Sequence, residues 1–248
     1  MLKKIITSLV ATTLLSTTVY ADFLGVEVGY GVWNAKTTGD IRKGTDNIDF
    51  EDDLGFGSNK SNGFFYVLFD HPLPLIPNIK LQQTNFSTKA DGKMSKNATF
   101  AGETFGLNDD VLTYLKLNQT DLVLYYRLLD NWLNLDTGLM IKSIDGNINI
   151  KSTSANANES FDVIIPMLHV RGQLDLPFSG LSAEAEINYI KYMGNNLSDV
   201  KVGVKYEFNS GFGLSAGYKA QKLEIDDIND IYGAVNNSGI YTGLYYHF

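Results

Sequence analysis

Ile240-Tyr241-Thr242-Gly243-Leu244-Tyr245-Tyr246-His247-Phe248 ends the chain, and its alternation sets how everything before it is read. On a strand, successive side chains point to opposite faces. Ile240, Leu244, Tyr246 and Phe248 then share one face, with Thr242 between them, while Tyr241, Gly243, Tyr245 and His247 share the other. Two settings use a strand with one apolar face: a soluble sheet packed on a core, and a membrane barrel whose outer face meets lipid.

The same period recurs upstream. Leu24, Val26, Val28, Tyr30 and Val32 alternate with Gly25, Glu27, Gly29 and Gly31. Leu122, Leu124, Tyr126 and Leu128 alternate with Asp121, Val123, Tyr125 and Arg127. Leu133, Leu135, Thr137, Leu139 and Ile141 stand opposite Asn134, Asp136, Gly138, Met140 and Lys142. Further sets run from Ala183 to Tyr189, Val200 to Phe208 and Phe212 to Tyr218. Each run lasts about 8 to 10 residues, the length of a tilted membrane-spanning strand. The apolar sets often end in Tyr or Phe, as an interfacial belt requires. The opposite faces carry Gly and both signs of charge, as a narrow polar lumen would. Short links (128–132, 176–180, 209–211 and a Pro-rich 71–78) alternate with long polar ones (42–59, 90–110, 146–160, 226–237), and a tight turn at Gly194-Asn195-Asn196 lies on the long side. Short periplasmic turns and longer extracellular loops are the rule for membrane barrels.

The pattern predicts an all-β, antiparallel, up-and-down transmembrane barrel of ten strands, with eight and twelve as alternatives. The strands fall near 23–41, 60–70, 79–90, 111–128, 133–145, 161–174, 181–193, 198–208, 212–225 and 238–248. The 91–110 region could add a hairpin outside the membrane. Pro166 interrupts the sixth strand and cannot donate to a ladder, which predicts a bulge or a rim position.

At the other end, Lys3-Lys4, an uncharged stretch from Ile5 to Thr18 and Val19-Tyr20-Ala21 form a cleavable secretory leader, 1–21. Its core is too short, and too broken by five Thr and two Ser, for an anchor helix. Cleavage leaves residues 22–248 as one barrel domain, and losing Lys3 and Lys4 takes the net charge from −8 to −10. That acidity argues against nucleic acid as a partner. The absence of Cys excludes disulfides and thiolate zinc sites.

Several stretches resemble a family of small bacterial outer-membrane β-barrel proteins of unassigned function. They are Ile165-Pro166-Met167-Leu168-His169-Val170, Asp175-Leu176-Pro177-Phe178-Ser179-Gly180-Leu181, Glu184-Ala185-Glu186-Ile187-Asn188-Tyr189, Asp199-Val200-Lys201-Val202-Gly203, Ala216-Gly217-Tyr218, Tyr246-His247-Phe248 and Glu51-Asp52-Asp53-Leu54-Gly55. The C-terminal third carries most of the likeness. It implies the fold and an outer-membrane location, and it implies no ligand and no catalytic residue. The chain end also resembles a barrel assembly signal, with Tyr246 and Phe248 as its aromatics. The expected partners are outer-membrane lipid and lipopolysaccharide, and the barrel assembly machinery. The expected state is a monomer.

Candidate chemistry is sparse. His71 lies in the Pro-rich turn, His169 in mid-strand and His247 near the end, and no Gly-x-Ser-x-Gly elbow occurs. Ser182 and Ser215 are lumenal by parity. No enzyme, cofactor or metal site is expected. The acids Asp46, Asp49, Glu51, Asp52 and Asp53, and Asp226, Asp227 and Asp230, lack the offsets of a calcium loop. The strongest signal is charge sharing one face: Glu184, Glu186, Lys201, Lys205, Glu207 and Lys219 on three consecutive strands, and Asp121, Arg127, Asp136 and Lys142 on an earlier pair. Opposite signs on neighbouring strands stabilise one another. They predict a neutral plug ahead of a narrow pore for small polar solutes. A structural or surface-interaction barrel is thus the first functional reading, that channel the second, and a soluble periplasmic lipocalin-like binder with an apolar interior the third. Removing Tyr246 to Phe248 should lower the amount of protein in the outer membrane and leave unfolded chain in the periplasm, measured by fractionation. Normal membrane levels would count against the barrel.

Overall fold

The computed structural model describes residues 24–73, 75–228 and 230–248. The expected leader, 1–21, lies outside these residues. Fourteen strands form among them: β1 Gly25–Arg42, β2 Ile48–Asp49, β3 Lys60–Asp70, β4 Asn78–Asn85, β5 Ser87–Lys93, β6 Ala98–Phe100, β7 Glu103–Phe105, β8 Asp110–Leu129, β9 Leu133–Lys151, β10 Asn156–Asp175, β11 Leu181–Tyr192, β12 Asn195–Glu207, β13 Phe212–Ile228 and β14 Ile231–His247. β4 and β5 run as one line against β8, with Thr84 opposite Gln119 and Ser87 opposite Lys116 in unbroken register. The ring order is β1, β3, β4–β5, then β8 through β14, and β14 returns to β1. The result is a closed antiparallel barrel of ten strands. Closure runs from Glu27 opposite His247 to Arg42 opposite Tyr232, and the Phe248 N–H extends it by donating to the Val26 carbonyl at 2.9 Å.

Parity sets the two faces. Ile240 and Leu244 are each 62% exposed on the outside, while Tyr241 and Tyr245 are buried within. Leu139, Leu168, Val202, Val204 and Leu214 add to the same outer belt. The lumen at this height is charged and the exterior apolar, the reverse of a lipocalin-like binder.

Above the belt the polarity inverts while the parity holds. On β9 the outer positions become Ser143, Asp145, Asn147, Asn149 and Lys151, and the inner ones Ile144, Ile148 and Ile150, which are buried. The segments 146–160 and 226–237, expected as polar loops, are therefore mostly strand: β9 pairs with β10 out to Lys151–Asn156, and β13 with β14 to Ile228–Ile231. They read as loops because a lipid-facing pattern demands apolar residues outside, and here water lies outside. The 91–110 segment does form a hairpin, β6–β7. With the 43–59 link it folds inward, so that Phe50, Leu54, Phe56, Met94, Phe100 and Phe105 fill the loop end of the barrel against Trp33, Leu115, Ile148 and Val235. Burial of each such side chain contributes roughly 1.5–3 kcal/mol.

Two details explain the local fit. Gly203 and Gly217 sit directly opposite one another on β12 and β13, and a Cβ on either would collide with the Tyr241 side chain, which lies across both. Of the two outcomes expected at Pro166, a bulge or a rim position, no bulge forms: β10 keeps register with β9 through Ile165–Lys142, Pro166–Ile141 and Met167–Met140. It lies just beyond the last β10–β11 pair, Leu168–Tyr189, so the strand has a free side there.

Val202→Arg should destabilise the barrel by about 2–4 kcal/mol, the cost of a basic side chain on the lipid face near the midplane. Lys205→Arg, on the lumen face, should change little. Urea unfolding in lipid measures both. Single cysteines at these two positions, in a chain without native ones, report which side each faces.

Candidate functional site

The lumen is crossed by a partition of paired charges. In a ring of ten strands, β8 and β13 are diametrically opposed. Gln119 on β8 and Gln221 on β13 nevertheless bond reciprocally through their amides, at 2.8 and 2.9 Å. Beside them Lys142, fully buried, bonds Asp121 at 2.7 Å and the Gln119 oxygen at 2.9 Å, and lies 3.4 Å from Asp199. Lys80 on β4 reaches Glu186 on β11 at 2.7 Å. His169 places Nδ1 2.7 Å from the Asn188 oxygen and 3.9 Å from Glu186.

A second tier lies nearer the short turns. Lys201 bonds Glu184 at 2.6 Å, and Arg171 bridges Glu184 and Asp136. Arg127 holds Asp136 at 3.0 Å and Asp70 at 2.8 Å. Lys205 bonds both oxygens of Glu27, which also accepts the Tyr66 hydroxyl at 2.6 Å. Seven cations (Lys80, Arg127, Lys142, Arg171, Lys201, Lys205, Lys219) thus meet seven anions (Glu27, Asp70, Asp121, Asp136, Glu184, Glu186, Asp199), so the partition is electrically neutral. Neutrality matters because ion selectivity needs a ring of one sign.

Of the charges expected to share the lumen, Asp121, Arg127, Asp136, Lys142, Glu184, Glu186, Lys201, Lys205 and Lys219 lie in this partition. Glu207 does not: it sits at the short-turn mouth, 3.6 Å from His247, because β12 ends there. Pairing also differs from simple cross-strand neighbours. Lys201 stands directly opposite Lys219, a like-charge pair that would destabilise two isolated strands. Each turns to its own acid, Glu184 and Asp199, and each ammonium lies over a ring, Tyr241 at 4.8 Å and Trp33 at 4.9 Å. The expected network lacked Glu27, Asp70, Lys80, Arg171 and Asp199, although their parity marks all five as lumenal.

The other candidates serve the fold. Asp49 accepts the N–H groups of Glu51 and Asp52, Asp46 accepts that of Thr99, and Glu51 pairs with Lys36. Asp53 ties the two inward loops together, accepting the Asp49 and Ser95 N–H groups and the Ser95 hydroxyl. Burial pushes its carboxyl up, yet the Ser95 hydroxyl, those two N–H groups and the Lys96 charge outweigh this and hold it below its usual value. His71 is spent inside its turn on the Pro77 carbonyl and the Leu73 N–H. Ser182 lines the short-turn mouth, and Ser215 abuts Gly243 on the lumen side. Among the described residues, no serine hydroxyl is hydrogen-bonded to a histidine.

No family model matches the sequence, and no curated protein matches it. Solved structures do. The outer membrane protease OmpT from Escherichia coli superposes with a TM-score of 0.54 at 13% identity, covering 94% of this chain and 99% of that one. Ail, the attachment invasion locus protein of Yersinia pestis, solved with the heparin analogue sucrose octasulfate, gives 0.37 at 9% identity over 91% and 99%. The Pseudomonas putida toluene transporter TodX gives 0.28 at 11% over 92% and 90%. At these identities the likeness is one of fold, and the OmpT superposition carries it: this chain shares the outer-membrane β-barrel architecture.

Lys142→Met should lower stability by about 3–5 kcal/mol, because it leaves Asp121 buried beside no cation and Asp199 with Lys219 alone. Adding Asp121→Asn should recover part of that loss, while Asp199 stays paired with Lys219. The midpoint of heat-induced unfolding in detergent, read by the gel shift of the folded barrel, measures both. Equal midpoints for wild type and Lys142→Met would show that lumenal water screens these charges.

Proposed function

We propose that the chain is exported to the bacterial outer membrane and acts there as a plugged barrel, through its extracellular surface rather than its lumen. The observation that carries this reading is the double closure. The charged partition spans the bore from wall to wall at Gln119–Gln221, and the loop core of Phe50, Leu54, Phe100 and Phe105 seals the space above it. The leader at 1–21 would direct export, and the terminal aromatics Tyr246 and Phe248 would be read by the assembly machinery. In this orientation the short turns are periplasmic, and the polar upper wall stands beyond the lipid.

That wall is the surface offered to partners. Its outer face on β9 and β10 is a ladder of asparagines in which Asn147 bonds Asn158 and Ser160, and Asn149 bonds Asn156. The inward loops add an open groove bordered by Glu51, Asp52, Asp91 and Asp110 with Lys93 and Lys151. Histidine-dependent catalysis at this end has no candidate, because His71 and His247 lie at the other mouth and His169 lies within the partition. The reading is therefore of a non-enzymatic, monomeric surface protein whose outer belt meets lipid and whose rim meets lipopolysaccharide.

One observation favours a channel. A polar vestibule of about 380 Å³ opens at the periplasmic mouth, lined by Glu27, Asp70, Arg127, Arg171 and Lys205 among others. It ends on the partition. Planar-bilayer recording of the purified protein decides between the two. The native barrel should be electrically silent, and steady, sizeable conductance would overturn the plug and raise the channel above the surface role.

A further inference from the structure

The wall is low beside β10. β10 pairs with β9 as far as Asn156, but with β11 only to Leu168–Tyr189. The β11–β12 hairpin turns back at Met193 and Gly194, while β10 and β13 continue upward on either side. Its tip leans on β13: Asn195 accepts the Asp226 N–H at 2.9 Å, and Gly194 packs against the Asp226 side chain. The gap is left wholly beside β10. It is an apolar groove of about 440 Å³, lined by Val163, Ile165, Ile190, Tyr192, Leu197 and Leu223 among others. Its floor, Leu197 and Leu223, belongs to the same buried cluster as the loop core. Its outer lip, Ile164 and Pro166, faces outward in line with Leu168 and Val170 of the lipid belt, and Ile164 is 72% exposed.

The free side of β10 shows what the groove faces. Side chains of β9 bond the carbonyls of Ala157, Glu159 and His169, so these odd positions turn toward β9. Successive residues of an antiparallel strand turn their backbone groups to opposite sides. The even positions therefore face the gap, and among the described residues Asn158, Ser160, Asp162 and Ile164 have no backbone partner there. An unsatisfied N–H costs several kcal/mol in hydrocarbon but little in water. Pro166, lowest of the unpaired even positions, is the residue that has no N–H to leave unsatisfied. A peptide strand docking on this edge would need that donor; a hydrocarbon neighbour is served by its absence.

We propose that this groove holds an acyl chain of an outer-leaflet lipid, which enters sideways between β10 and the β11–β12 hairpin and lies against Ile165, Ile190, Leu197 and Leu223. The proposal rests on the membrane placement argued above. The groove is continuous with the lipid belt, its lining is apolar, and its open edge is modified at the depth where lipid begins.

The test uses the full barrel, deuterated except for Ile, Leu and Val methyl groups, in dimyristoylphosphatidylcholine nanodiscs. Nuclear Overhauser cross-peaks from lipid acyl protons should appear at Leu139 and Val202 on the belt and also at Ile165, Ile190 and Leu223. They should be absent at Ile148 and Ile150, which face inward behind intact wall, and lost throughout with acyl-deuterated lipid. Belt cross-peaks without groove cross-peaks overturn this proposal and leave the membrane placement standing. No cross-peaks at either overturn both. Slow hydrogen exchange at Asn158 and Ser160, with no acyl contact at Leu223, would show a polypeptide strand in the gap and overturn it as well.

Discussion

Everything in this barrel follows from holding one side-chain parity along strands of up to 20 residues while the solvent outside them changes from lipid to water. A strand cannot shift register by one residue without turning all its side chains over. The sequence therefore changes residue type instead of register. On β8 the outer face passes from Leu128, Tyr126, Leu124 and Leu122 to Thr120, Asn118 and Lys116, while the inner face passes from Arg127 and Asp121 to Leu117 and Leu115. The lower half is a membrane barrel with a polar interior. The upper half is a water-soluble barrel with an apolar core. They share a wall, and the change of type falls at the charged partition.

This explains what the sequence disclosed and what it withheld. The belt half was legible, because apolar residues outside and charge inside are the pattern a membrane strand must have. The ten-strand count, the strands 60–70 and 181–193 and the closing strand to Phe248 follow from it. The upper half was not legible by the same rule. Ser143, Asp145, Asn147 and Asn149 read as a polar loop unless Ile144, Ile148 and Ile150 are recognised as the buried face of the same strand. Inner-face membership could be read from parity, but partners across the bore could not. Lys80 and Glu186 are 106 residues apart and meet only because the closed ring brings β4 and β11 within reach through the bore. Glu207 has lumenal parity yet sits beyond the partition, since parity says which face a residue shares and not how far along the bore it lies.

Glycine and aromatic residues work in the same economy of space. Charged side chains cannot fill a bore of this size unless part of the wall is thin. Gly203 and Gly217 make room for Tyr241, and Gly29 and Gly31 lie against Tyr66 and Phe64. These rings in turn support the ions: Tyr66 donates to Glu27, and Tyr241 lies under Lys201. Gly in a strand weakens it, and an aromatic residue lying across it restores packing. The glycines of β1, β12 and β13 and the rings that lie across them are thus part of the partition.

The two closures contribute different things. A buried ion pair repays little of its desolvation and is weak evidence of stability. Its stronger effect is on register: sliding β9 by one residue against β8 would carry Lys142 into lipid and leave Asp121 alone. The partition thus fixes the pairing of strands, while the loop core above, dominated by Phe and Leu, supplies apolar burial. Neither closure would serve alone. Charges without the core would be open to water from above, and the core without the charges would sit on strands free to slip. A bore sealed by the interactions that specify the fold leaves the outer wall, with its polar ladder and its low side beside β10, as the part of the molecule free to meet other molecules.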